Sequence, residues 1–526
     1  MRRRSPRSTD LVSHDDFSWA RLNSAGLQVG GVYTVHDSGV PNGYSGSAID
    51  GSAMKPQSAA ISAFSGPTPD RPPSLSGRDQ FLCRLLGQKR GDNRVLVYAP
   101  SKRLVFEVNE ATWDFLRRFN GRSISTNSTS AASQNQFLLK LAQYGLIDDC
   151  PSDNAQSKPA FQPARLILLP TADCNLRCAY CFSTGGSNRT TIPLHIARAA
   201  VDFVVSLIDG YGGRHFSLSF LGGGEPTGAG DVMRGTLRYA YDVCIAKALR
   251  FDATLTTNGT WDRPTGEWIA KSIPRVIVSF DGTESVMALH RPSRNGKSLF
   301  RTVVGNVSFL VNQGCKVGIR STVSAQSVSD MPAALELFHS LGVRKVHFEP
   351  LAHVGRAHQS GIMPPSRAEF VEAFWSVFLR GRDLGVRVTS ATAHFNGGNP
   401  RQCRVAEKAV CVTPGARLIS CHRSADDNGF LGKHFHYGQY DARTQQFVID
   451  LPLLDSMLAD LAFTPECCRE CIASIQCTAG CYYNNLLVSG DRMGQDSEWC
   501  NSSRELTCRL LEAELRSQTH VGQENT

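Results

Sequence analysis

The stretch Thr171-Ala-Asp-Cys174-Asn-Leu-Arg-Cys178-Ala-Tyr180-Cys181 directly follows an apolar run at residues 165–169. Three thiols spaced C-x3-C-x2-C are one short of closing a four-iron cube. The spacing therefore predicts a [4Fe–4S] cluster held through three irons, with the fourth iron open to a substrate or cofactor. A three-ligand zinc site is the alternative, and it requires a nearby His or carboxylate. Outward from this loop, further apolar runs at 216–221, 253–257, 275–280, 317–323 and 345–349 are separated by longer, partly helical segments. Six strands alternating with helices predict an α/β fold on a parallel sheet, open or closed into a partial barrel, with its chemistry at the carboxyl ends of the strands.

The chain has 526 residues, 41% apolar and 20% charged, which excludes a small disulfide scaffold and a wholly disordered chain. No run approaches the ~18 consecutive apolar residues of a membrane span. No apolar segment follows Met1-Arg-Arg-Arg-Ser-Pro-Arg-Ser, so a cytoplasmic protein without a membrane partner is expected. The net charge of +9 is modest for this length, and four arginines fall in the first seven residues. That cluster reads as a solvated tail, and nucleic acid is not expected as a partner. Seventeen cysteines are too many for a reducing compartment unless most bind metal, and too irregular for a secreted disulfide framework.

Four segments follow from composition and periodicity. Residues 1–80 read as a disordered basic and Gly/Ser/Pro-rich tail. Residues 81–150 form a small α+β unit. In it, runs at 94–98 and 104–108 make a hairpin around Ala99-Pro-Ser-Lys, and Asn109 caps a helix with Thr112, Phe115, Leu116 and Phe119 on its apolar face, ended by Asn120-Gly121. A second helix carries Phe137, Leu138, Leu141 and Tyr144. Residues 151–395 begin with a linker to Pro163 and hold the alternating pattern. Residues 396–526 are loop-rich with ten of the seventeen cysteines, and end in an amphipathic helix through Leu506, Leu510, Leu511 and Leu515.

The cysteine loop resembles the signature of the radical S-adenosylmethionine superfamily, C-x3-C-x-aromatic-C after the first barrel strand, with Tyr180 in the aromatic place. The resemblance implies a partial (β/α)6 TIM-like barrel whose cluster, on Cys174, Cys178 and Cys181, cleaves S-adenosylmethionine reductively. Leu221-Gly-Gly223-Gly224-Glu225-Pro226 resembles the family segment that holds the methionine amino group. Glycines permit close backbone approach there, and a carboxylate pairs with an ammonium. By the same resemblance Ser279, in Val278-Ser279-Phe280-Asp281-Gly282, contacts the ribose and Arg320 binds the methionine carboxylate. Thr257-Asn258-Gly259 reads equally well as a plain turn.

The C-terminal cysteines resemble the SPASM extension of these enzymes, which carries two auxiliary clusters. By resemblance Cys403, Cys411, Cys421 and Cys481 hold the first, and Cys468, Cys471, Cys477 and Cys500 the second, with Cys467 competing for the place of Cys468. The expected cofactors are thus three [4Fe–4S] clusters and S-adenosylmethionine. A pair of zinc sites is the alternative for these thiols. Cys83, Cys150, Cys244, Cys315 and Cys508 are left as buried thiols. The 81–150 unit resembles the winged-helix-like peptide-recognition element that binds leader peptides of ribosomally made natural products, offering a sheet edge to an extended chain. The implied activity is a peptide maturase that abstracts hydrogen from a ribosomally synthesised precursor peptide and installs a thioether or carbon–carbon crosslink, fed by an electron donor such as flavodoxin or ferredoxin. The competing activity is an anaerobic sulfatase maturase forming formylglycine, a group in which an Asp typically stands where this chain has His422.

Overall fold

Along the strands of the central sheet, apolar side chains face helices and polar ones face an inner lumen, the period of two that a strand imposes. Phe216, Leu218 and Phe220 lie in the main core while His215 and Ser219 take the other face. Val276 and Val278 are likewise set against Ser279, and Val317 and Ile319 against Arg320. This alternation gives the sheet of a partial barrel one apolar face under the helices and a more polar inner face.

The computed structural model describes residues 32–33, 61–65, 80–91, 93–100, 102, 104–120, 123–124, 141–142, 145–148, 160–393, 405–425, 432–462, 465–474, 477 and 480–521. The strands are β1 Val32–Tyr33, β2 Ile61–Ser65, β3 Gln80–Leu82, β4 Leu86–Arg90, β5 Arg94–Ala99, β6 Leu104–Asn109, β7 Ser123–Ile124 and β8 Ile147–Asp148. The barrel strands are β9 Arg165–Leu168, β10 His215–Phe220, β11 Arg250–Thr257, β12 Arg275–Ser279, β13 Lys316–Val323, β14 Lys345–Pro350 and β15 Arg387–Thr389. The last four are β16 Ala409–Val412, β17 Arg417–Ile419, β18 His436–Asp441 and β19 Gln446–Ile449. The principal helices are α1 Glu110–Phe119, α2 Leu194–Gly210, α3 Gly230–Ala246, α4 Arg263–Ser272, α5 Glu284–His290, α6 Phe300–Asn312, α7 Met331–Ser340, α8 Arg367–Asp383, α9 Leu451–Ala462, α10 Tyr482–Ser489 and α11 Ser497–Val521.

Strands β9 to β15 are all parallel and neighbour one another in chain order. The six expected strands are present, with β15 as a seventh. At three residues it is too short for a run of apolar residues to reveal it. The open side of β9 does not end the sheet: β16 pairs parallel with it, Cys411 opposite Ile167, and β17 to β19 continue antiparallel. The C-terminal segment expected to be loop-rich therefore extends the barrel's sheet, satisfying an edge whose backbone groups would otherwise lack partners. Among the described residues no helix is long and apolar enough to cross a membrane.

In the N-terminal unit β4, β5 and β6 form an antiparallel meander, with Ala99 opposite Leu104 across the expected turn. One face, with Val95, Val97, Phe106 and Val108, packs on Trp113 and Leu116 of α1. Asn109 caps that helix, its side chain accepting from the Thr112 N–H at 2.8 Å. The opposite face, Leu86, Leu96, Tyr98 and Val105, packs on Ile472, Cys508, Leu511 and Leu515 of the C-terminal segment. The stretch expected to be a disordered tail contributes two strands: β2 pairs with β6, Ile61 opposite Val108, and β1 pairs with β2. The outer edge of β6 recruits them by the same edge pairing. Of the expected second helix, Leu141 and Ala142 are helical, and the rest lies outside the described residues, as does most of residues 1–80 and of the linker.

Leu96 is fully buried between the two units. Leu96→Asp places a carboxylate among Leu511, Leu515 and Ile472 and should cost about 3–5 kcal/mol. Calorimetry should then show an early transition for the N-terminal unit ahead of the barrel's. A single unchanged transition would show that this packing does not couple the two.

Candidate radical and cofactor site

Cys174, Cys178 and Cys181 lie in the loop between β9 and α2, at the carboxyl end of the sheet. A loop this exposed to its own carbonyl dipoles needs donors, and three arginines supply them. Arg177 bonds the carbonyls of Cys174 (3.3 Å), Leu176 (3.1 Å), Gly185 (3.3 Å) and Gly186 (3.1 Å). Arg356 reaches those of Cys178 (2.9 Å) and Gly185 (3.1 Å). Arg294 holds the Cys174 carbonyl (2.6 Å) and pairs with Asp173. The guanidinium fork suits such multiple contacts.

Donors also point at the sulfurs. The Leu176 N–H lies 3.5 Å from Cys174 Sγ, the Gly185 N–H 3.3 Å from Cys181 Sγ, and Arg291 Nη1 3.9 Å from Cys178 Sγ. Burial pushes the Cys174 thiol up to about 11 and that of Cys178 to about 12. The three cysteines with their N–H donors thus fit a cluster.

The second strand end packs directly on this loop. The Gly224 N–H donates to Thr171 O (2.9 Å) and the Glu225 N–H to Asp173 O (2.8 Å). A Cβ on Gly224 would run into the Asp173 carbonyl, so only glycine allows the approach. Glu225 is buried, and its carboxylate accepts from Thr257 Oγ1 (2.7 Å), Asn258 N–H (2.7 Å), Thr227 N–H (3.1 Å) and Thr227 Oγ1 (2.8 Å). Burial raises its pKa against these four bonds. Oε2 carries a single donor, which leaves it able to accept from an ammonium. Thr257 and Asn258, read equally well as a plain turn, thus orient the carboxylate. Asn258 also bonds Asn175 Oδ1 at 2.8 Å and lies 4.0 Å from Cys174 Sγ.

Asp281, after β12, is the buried hub of the site. It accepts from Tyr180 Oη (2.5 Å), Arg291 Nε (2.9 Å) and Nη2 (3.3 Å) and Thr322 N–H (3.0 Å), and meets His290 Nδ1 at 3.2 Å. Burial opposes its ionisation, but Arg291 and then His290 outweigh it and hold the carboxyl far below the usual range. His290 Nε2 meets Ser324 Oγ at 2.9 Å, an Asp–His–Ser relay. All three residues are buried, so no substrate reaches the serine, and the relay orients Asp281 under Tyr180.

Ser279 and Arg320 are opposite each other across β12 and β13, and the Arg320 side chain is exposed to the lumen. Beyond them Glu349 accepts from His347 Nε2 (2.9 Å) and Ala391 N–H (3.0 Å). Against its burial, His347 and then Arg320 and Arg423 depress its pKa to about 2. His422 also lies here: burial, with Arg320 and Arg423 beside it, lowers its pKa to about 3 and keeps the ring neutral. Its ring is edge-on to Phe182 at 5.7 Å.

The C-terminal thiols fall into two groups. Cys411 on β16 sits against Cys421, and Arg423 faces both Cys421 and Cys481. Cys403 lies outside the described residues. Cys468 is close to Cys471 and Cys477, and Cys500 to Cys477 and Cys471. Burial, and then the adjacent Cys467, push Cys468 up to about 12; burial, and then Cys477, push Cys500 to about 11. Cys467 Sγ stands 3.9 Å from Cys468 Sγ and is the more exposed, which favours Cys468 as the inward thiol.

No family model matches the chain. It is 22% identical over 338 residues to a serine-type anaerobic sulfatase-maturating enzyme of Klebsiella aerogenes, covering 61% of this chain and 80% of the relative. It is 24% identical over 225 residues to an AdoMet-dependent heme synthase of Methanosarcina barkeri, covering 43% and 61%. The solved structure of native anSMEcpe with bound AdoMet and Cp18Cys peptide superposes with a TM-score of 0.52 at 17% identity, over 68% of this chain and 99% of that one. Its fold is shared.

The chain belongs to the radical S-adenosylmethionine enzymes. The three-cysteine loop beside Glu225 fits a [4Fe–4S] cluster with S-adenosylmethionine, the cofactor bound in the solved neighbour. Arg177, Arg291, Arg294, Arg356 and Asp281 escaped the sequence reading. Each acts across more than one element or through backbone carbonyls, and neither kind of contact leaves a local spacing.

Proposed function

We propose that this radical S-adenosylmethionine enzyme modifies a ribosomally made peptide, installing a thioether or carbon–carbon crosslink. When bound, the cluster and S-adenosylmethionine supply a 5′-deoxyadenosyl radical able to take hydrogen from an unactivated carbon. The residues around them bind and orient. Cys174, Cys178 and Cys181 hold three irons, Glu225 takes the methionine ammonium, Arg320 its carboxylate and Ser279 the ribose. The apolar layer beneath α2 to α8 covers one face of the sheet, and the residues that would meet the substrate sit at the carboxyl ends of its strands.

The observation that carries the peptide reading is the separate antiparallel sheet packed on the C-terminal segment. Among the described residues its outer strand β4 pairs on one side only. An extended leader can add there, with backbone hydrogen bonds giving affinity and side chains giving register. The two C-terminal thiol groups, Cys411, Cys421 and Cys481 with Cys403, and Cys468, Cys471, Cys477 and Cys500, would hold auxiliary clusters, which would supply one-electron redox capacity beside the substrate. Flavodoxin or ferredoxin would reduce the first cluster.

The sulfatase-maturating relatives favour a second reading, oxidation of a Ser or Cys to formylglycine. Both a crosslink and formylglycine from Ser remove two hydrogens, so mass does not separate them. Co-expression with short peptides encoded beside the gene, then a hydrazide probe and tandem fragmentation, does. A crosslinked product should ignore the hydrazide and resist fragmentation inside the ring. A hydrazide-reactive product with complete fragmentation would overturn crosslinking in favour of formylglycine.

A further inference from the structure

The sulfur of Cys178 is the one of the three to which a guanidinium N–H points, although Arg291 is near enough to act on Cys174 as well. Arg291 directs Nη1 toward it at 3.9 Å, while Nε and Nη2 are taken by the Asp281 carboxylate. The side chains of Arg291 and Asp281 are 8% and 0% exposed, so the pair is not screened by water. Tyr180 Oη, the His290 ring and the Thr322 N–H fix Asp281 from three further elements, and the Tyr180 ring lies 5.4 Å from the guanidinium carbon. The other arginines of the loop, Arg177, Arg294 and Arg356, bond carbonyl oxygens. Asn258, near Cys174, is neutral. Arg291 is therefore an immobilised cation with its free end on a cluster ligand and its counter-charge on the far side.

The geometry points to Arg291 as a positioning residue that holds a fixed positive charge against the Cys178 sulfur and so sets the reduction potential of the cluster on this loop. This rests on the assignment of a cluster to Cys174, Cys178 and Cys181. The physical reason is Coulombic. Reduction adds one negative charge to the cluster, a nearby cation favours the reduced form, and hydrogen bonds to ligand sulfur act in the same direction. Asp281 works against this from farther away while keeping the guanidinium in place.

The two charges predict opposite shifts. In the full chain, reconstituted anaerobically, the relevant signal is the reduced-cluster resonance that responds to added S-adenosylmethionine, followed by potentiometric titration. Arg291→Gln should move its midpoint to more negative values, by about tenfold in the one-electron equilibrium, or roughly 60 mV. Asp281→Asn should move it to more positive values. Arg291→Lys, which keeps the charge, should fall between Arg291→Gln and wild type.

Shifts in the same direction, an unchanged midpoint in Arg291→Gln with full iron, or loss of this cluster in both the Gln and Asn variants would overturn the proposal and leave the pair a structural role. If Arg291→Gln alone loses iron, the sign of the Asp281→Asn shift decides. A wild-type chain with no such resonance would instead refute the cluster assignment, a separate and recognisable failure.

Discussion

Replacing Cys174, Cys178 and Cys181 together with Ala abolishes reductive cleavage of S-adenosylmethionine and lowers bound iron by about four per chain, one cube's worth. The expectation follows from separation of the ligands. The three thiols belong to the loop after β9, whereas Cys411 lies on β16, Cys421 just after β17, Cys471 and Cys477 between α9 and α10, Cys481 just before α10 and Cys500 on α11. If those later thiols hold two further cubes, iron falls from about twelve to about eight rather than to zero. The loop should keep its path, because its carbonyls are held by Arg177, Arg294 and Arg356 and not by the thiols. Iron analysis with a deoxyadenosine assay checks both parts. Cleavage surviving the triple substitution, or zinc replacing iron in the anaerobically reconstituted wild type, would refute the cluster.

The second large effect belongs to Glu225. Glu225→Ala should weaken S-adenosylmethionine binding by about 30- to 150-fold, the value of one charge-assisted hydrogen bond to a buried carboxylate, about 2–3 kcal/mol. The same change strands Thr257 Oγ1, the Asn258 N–H and the Thr227 donors, so the end of β11 should loosen as well. Glu225→Gln separates the two contributions. It preserves most of the hydrogen-bond shape while removing the charge, and should retain the melting temperature but not the affinity. Equilibrium dialysis against labelled cofactor reads the first quantity and calorimetry the second. Wild-type affinity in both variants would remove Glu225 from the cofactor site.

What could be read from residues alone follows the range of the forces involved. The parallel sheet was legible because β10, β12 and β13 carry their own apolar periodicity, and these strands declare themselves within five to eight residues. The cysteine loop was legible for the same reason: ligand spacing is a local property, set by how a short loop wraps a cluster. The cap at Asn109 and the hairpin around residue 100 are local too.

Tertiary structure decided everything that depends on partners distant in the chain. Strand β16 becomes a barrel strand only because β9 offers it an edge, and β2 joins β6 on the same principle. Asn258 turns from a turn residue into the orienting donor of Glu225 once β10 and β11 are side by side. Asp281 and Arg291 gain their meaning from burial. Ten residues apart on either side of α5, they read as an ordinary acid and base, and only the exclusion of water beneath Tyr180 makes their charges act at full strength on the sulfur of Cys178.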